Sequence, residues 1–182
     1  MCTRLVGVVV LLGAGGCLST TMQASGVPTG KPLGMRSVAV ATLVNRTASP
    51  QAAAVARDLL IERLGSRTTL RTIVVPPELG VDPERFDRTR AQEIAVKLGV
   101  DGILVGTVFA FEYTEGRTNP GGLTTPVVHL DLRLIAASTG TIVWAATARA
   151  EKSLLFTYDS AALSEAAGSV VAQLTDDLAG RI

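Results

Sequence analysis

Residues 128–144 read Val128-His129-Leu130-Asp131-Leu132-Arg133-Leu134-Ile135-Ala136-Ala137-Ser138-Thr139-Gly140-Thr141-Ile142-Val143-Trp144, and their reading decides the fold. Val128, Leu130, Leu132 and Leu134 alternate with His129, Asp131 and Arg133, the period of two that marks a strand with one buried and one wet face. Ser138-Thr139-Gly140 carries turn chemistry, so Thr141 to Trp144 returns as an antiparallel partner. Upstream, Gly102-Ile103-Leu104-Val105-Gly106-Thr107-Val108-Phe109 is apolar at successive positions, which predicts a central strand covered on both faces. Downstream, Leu163, Ala167, Val170, Val171, Leu174 and Leu178 recur at helical spacing in a segment predicted from about Asp159.

Further toward the amino terminus, Val38 to Val44 is a short β-branched run and reads as a first strand. Ser49-Pro50 offers a cap and a first-turn proline to a helix whose apolar stripe is Ala52, Val55, Ala56, Leu59, Leu60 and Leu64, with Gly65 as its stop. Leu70 to Val75 is a second strand ended by Pro76-Pro77, and Ala91, Ile94, Ala95 and Leu98 mark a second helix closed by Gly99. The predicted order is β-α-β-α-β-β-β-α: an α/β fold in which helix-linked strands are parallel, later ones form an antiparallel meander, and the helices pack on one mixed sheet.

The flanking segment sets the location. Arg4, the apolar run Leu5 to Leu12, and Gly13-Ala14-Gly15-Gly16 before Cys17 follow the charged, apolar, small-residue order of an export signal. Residues 1–16 are therefore expected to be removed, 17–36 to form a tether rich in Ser, Thr, Gly and Pro, and 37–182 to form the domain. Fully extended, a tether of that length would reach about 60 Å. Cleavage before Cys17 would discard Cys2 and leave one thiol, which excludes a disulfide or a cysteine metal site and makes Cys17 the candidate lipidation site.

Composition narrows the function classes. The 17 basic and 16 acidic residues leave a formal charge of +1, which offers no field for nucleic acid or an anionic surface. The one histidine, His129, with Asp131 two residues on, is the sole arrangement that could hold a base and its orienter. No Ser stands in a G-x-S-x-G elbow, no phosphate loop is present, and one histidine without usable thiols does not make a common zinc site. No cofactor or metal is implied. The longest irregular stretch, Thr114 to Pro126 with Asn119, Gly121 and Gly122, is the candidate functional loop.

Small residues before Cys17 resemble a bacterial lipoprotein precursor, although Ala14 stands where the lipobox usually has Leu. Leu18 after the cysteine, where a retention signal has Asp, implies the outer membrane, and the precursor resemblance implies palmitate-type acylation of Cys17 that anchors the protein on the periplasmic face. Ser37-Val38-Ala39-Val40 with Asn45, Ala95 to Val108, and Leu132 to Trp144 resemble the periplasmic domain of the curli-secretion lipoprotein (CsgG), penicillin-binding-protein activator (LpoB) and TolB amino-terminal families. That resemblance implies an accessory factor of envelope assembly or secretion, whose partners are envelope proteins and which can associate with itself. The stretch from Thr114 to Pro126 is too short for the membrane hairpins of a secretion pore, whose strands each need about 9–11 residues. A second resemblance is to the lipopolysaccharide-assembly lipoprotein (LptE), which usually lacks the helix ending in Leu98-Gly99-Val100-Asp101. The expected contact surface is the row His129, Asp131 and Arg133 with Asn119, Gly121 and Gly122 of the loop; the rival expectation is a periplasmic hydrolase using Asp131 and His129.

Overall fold

The computed structural model describes residues 18–24, 32–79, 88–115, 124–152 and 160–182. In chain order its elements are β1 (Leu18–Ala24), β2 (Ser37–Val40), β3 (Val44–Asn45), α1 (Ala52–Arg67), β4 (Arg71–Val74), α2 (Arg88–Leu98), β5 (Gly102–Glu115), β6 (Thr124–Ala136), β7 (Ile142–Lys152) and α3 (Ser160–Ala179), with one 3-10 turn at Pro77–Leu79. The sheet order is β1-β7-β6-β5-β2-β4, with β3 also on β5. β2 pairs in parallel with both β4 and β5, whereas β5, β6 and β7 form the antiparallel meander. This is the mixed α/β sheet that the alternation predicts.

The expected first strand is one line interrupted at Ala41-Thr42-Leu43. Both of its pieces lie along β5, Val40 beside Leu104 and Val44 beside Thr107. The interruption lets Leu43 turn inward, where it is 2 % exposed. Helix α1 begins later than Ser49-Pro50 suggests: Gln51 occupies the cap without a side-chain bond, and the Ser49 carbonyl accepts from the Ala52 amide instead. The helix also runs through Gly65, since Thr68 closes it by donating from its amide and hydroxyl to the Leu64 carbonyl. Gly99, in contrast, has φ 61° and closes α2, with the Gly99 amide on Val96 O and the Val100 amide on Ala95 O. That is the Schellman pairing a glycine stop produces.

The tether expectation is corrected at its start. Leu18–Ala24 is a strand, paired antiparallel with β7 from Leu18 beside Lys152 to Ala24 beside Ala146. Small polar residues such as Thr20 and Thr21 read as linker in isolation, yet β-branched threonine suits a strand once an unpaired β7 edge is available. Strands β5 and β6 likewise extend to Glu115 and back from Thr124, so both ends of the expected loop are ladder. Strand β7 continues past Trp144 to Lys152. Residues 1–17, including Cys17, and the loop residues Asn119, Gly121 and Gly122 lie outside the described residues.

Two apolar layers sandwich part of this sheet. On one face α1 and α3 bury Ala56, Leu60, Leu64, Val170 and Leu174 against Val128, Leu130, Leu132, Leu134 and Trp144. On the other, α2 sets Ala91, Ile94 and Ala95 over Ala39, Ile103 and Ile135. Ile103 and Leu104 are each 0 % exposed while facing opposite layers, so the central strand is covered on both sides at its start. Cover on the α2 side ends along β5: Phe109 is 50 % exposed. Among the described residues, no helix is long and apolar enough to cross a membrane.

Candidate docking face

Among the described residues, α2 covers only the lower end of its side of the sheet, and the upper parts of β5, β6 and β7 present an open face. Register builds it row by row. His129 lies between Ala110 and Arg149, Asp131 between Thr107 and Thr147, and Arg133 between Val105 and Ala145. The sequence expectation that His129, Asp131 and Arg133 share a wet face holds, since Arg133 is exposed and the other two are partly so. Phe109, which sequence reading placed in a covered strand, joins them. Plain alternation puts it on the face of Ile103, Val105 and Thr107, and it is exposed because the α2 layer over Ile103 and Val105 does not reach it. The Phe109 ring stands over the His129 imidazole with centroids 5.2 Å apart and planes tilted 33°.

Charges on this face are mutually compensated. The Arg133 Nε is 3.3 Å from Asp131 Oδ1, and the Thr147 hydroxyl donates to Asp131 Oδ2 at 3.0 Å. Arg149 Nε donates to Glu151 Oε1 at 2.7 Å. The carboxylate expected to orient His129 is thus engaged by Arg133 and Thr147. Burial pushes the His129 pKa below its ordinary value, the Arg149 charge lowers it further, and Asp131 opposes them weakly. The imidazole is therefore neutral at pH 7 and lies against the Phe109 ring on this face.

A cleft of about 420 Å³ lies elsewhere, between the β2–β3 interruption and the first turns of α1, lined by Thr42, Asn45, Pro50, Ala53 and Arg57. Asn45 is spent on the fold, its Oδ1 accepting from the Thr47 amide and hydroxyl and its Nδ2 donating to Ser49 O, whereas Arg57 Nε, 3.6 Å from Asp58 Oδ1, is buried without a hydrogen bond. The Asn45-Arg46-Thr47 triplet is accordingly a structured turn. No group of three His, Cys, Asp or Glu side chains among the described residues could hold a metal.

No family model and no curated protein matches the chain. Solved structures do share its fold. The PelC dodecamer from Paraburkholderia phytofirmans is 23% identical over 88% of this chain and 98% of its own, with a TM-score of 0.66. The hypothetical protein CT253 from Chlamydia trachomatis is 13% identical over 80% of this chain and 94% of its own, at 0.57. The LpoB C-terminal domain from Salmonella enterica is a looser likeness, 22% identical over 62% of this chain and 81% of its own, at 0.43. At these identities the likeness speaks for the fold.

Proposed function

We propose that the chain is an outer-membrane lipoprotein, acylated at Cys17, whose periplasmic domain docks other envelope proteins as an accessory factor of envelope assembly or secretion. The observation that carries the docking role is the half-exposed Phe109 on an open, charge-compensated sheet face. An aromatic ring at the centre of such a patch is the usual anchor of an interface, and self-paired charges around it form a rim that costs little to bring near another protein. The anchor rests on the segment from Arg4 to Cys17 and its one remaining thiol. Self-association is the further part of the reading, supported by a fold relative that is described as a dodecamer.

A photo-crosslinking residue at Phe109 tests the docking role in intact cells. The expected result is a discrete adduct with an envelope protein, weakened by Arg133→Glu and by deletion of Gly121-Gly122 while circular dichroism and Tm are unchanged. An adduct from an α1 position and none from Phe109 would move the interface to the helices. Cys17→Ser is expected to shift the protein out of the membrane fraction, and retention with unchanged mass would refute the anchor. A hydrolytic activity abolished by His129→Ala alone would replace the docking reading with the enzyme one.

A further inference from the structure

Strand β1 starts at Leu18, one residue after Cys17, and its first pair is with Lys152 at the far end of β7. The same end of the sheet carries the close of β5 and the start of β6, where Glu115 faces Thr124 and Thr114 faces Thr125. Consecutive Cα atoms are about 3.8 Å apart, so an acyl group on Cys17 could not leave this end of the sheet by more than a few ångströms. We infer that the domain stands directly on the lipid bilayer by this end, with its strands rising from the surface, and is not suspended on a tether. The inference rests on Cys17 being acylated.

Orientation follows from the ladder. Strand β6 rises about 3.3 Å per residue from Thr124 to Ala136, which puts the Ala137–Thr139 turn roughly 40 Å from the membrane end. The open face with Phe109, His129 and Arg133 then looks sideways, along the bilayer, and meets partners that stand beside it on the same membrane. A free tether would leave that face with no fixed direction.

The test uses the full chain, processed in cells, purified and placed in phosphatidylethanolamine–phosphatidylglycerol vesicles that contain a headgroup spin-labelled lipid. An environment-sensitive fluorophore is attached through Thr125→Cys or Ser138→Cys, and intact mass records whether Cys17 carries lipid. With lipid present, quenching is expected to be several-fold stronger at position 125 than at 138. Inserting a 15-residue Gly/Ser linker between Cys17 and Leu18 should abolish that difference. Equal or reversed quenching in the acylated protein overturns the orientation while leaving the anchor standing. A persistent difference with the linker overturns the short leash as its cause, and a mass without lipid removes the anchor and the orientation together.

Discussion

Trp144 shows how a single side chain joins the hairpin to the last helix. It is 1 % exposed, and its indole Nε1 donates to Asp177 Oδ2 at 2.8 Å, the oxygen that also accepts from Arg181 Nε at 3.1 Å. Trp144→Ala is expected to cost about 3–5 kcal/mol in denaturant unfolding, because it empties the layer between β7 and α3. Trp144→Phe, which keeps most of the apolar volume and loses the donor, should cost about 1 kcal/mol. Asp101 serves the opposite corner: Oδ2 accepts from the Arg36 amide at 2.8 Å, the Ser37 amide at 2.9 Å and the Ser37 hydroxyl at 3.0 Å. These donors, the Arg36 amide foremost, hold its pKa below 3.8 against the opposing effect of desolvation. A carboxylate pKa depressed by folding stabilises above the unfolded value and loses that contribution as pH falls through the folded one. Asp101→Asn should therefore flatten the acid limb of a Tm-against-pH profile below about pH 4, and an unchanged limb would show that the clamp is idle. The Leu98-Gly99-Val100-Asp101 stretch was legible as a helix stop; that its last residue ties down β2, 64 positions away, was not.

At the scale of elements, β6 separates stability from docking along one strand. Leu132, 1 % exposed, lies under α3's layer, and Leu132→Ala should destabilise by about 2–5 kcal/mol. Arg133→Glu, its neighbour on the open face, should change stability by less than about 1 kcal/mol, because its partner pair with Asp131 is solvent-screened. Opposite results in chemical denaturation would mean that the two faces had been exchanged. Strand β5 is less uniform than its composition suggests. At Gly106 an added Cβ would meet the Asp131 carbonyl and lie 2.5 Å from Leu132 Cδ2, so this glycine permits the close approach of β6 and Gly106→Ala should lower Tm. Three residues later Phe109 lies on the face of Ile103 and Val105 but beyond the α2 layer that covers them. Period-two reasoning sees one apolar run there, because how far a helix extends over a strand leaves no mark in the strand's own hydrophobicity.

At the scale of the whole molecule, the two edges of the sheet differ in origin. One is β4, a four-residue strand between helices; the other is β1, which comes from outside the segment that composition marks as the domain. Removing residues 18–24 should expose the edge of the 11-residue β7, lowering Tm and promoting self-pairing in size-exclusion chromatography. A truncated chain that melts and elutes like the full one would show that β1 is dispensable.

What the sequence determined by itself is what local chemistry controls: the alternation of β6, the turn at Thr139-Gly140, the helical stripes, the αL stop at Gly99, and with them a mixed α/β sheet whose buried and wet faces were assigned correctly on β6. The tertiary structure alone decided the placement of β1, the break between β2 and β3, the exposure of Phe109 and the diversion of Asp131 from His129 to Arg133 and Thr147. Each of these depends on which strand lies alongside and how far a helix extends over it. Such contacts join residues distant in the chain, and the energy that selects them, an edge paired or a charge compensated, exists only once the sheet has assembled.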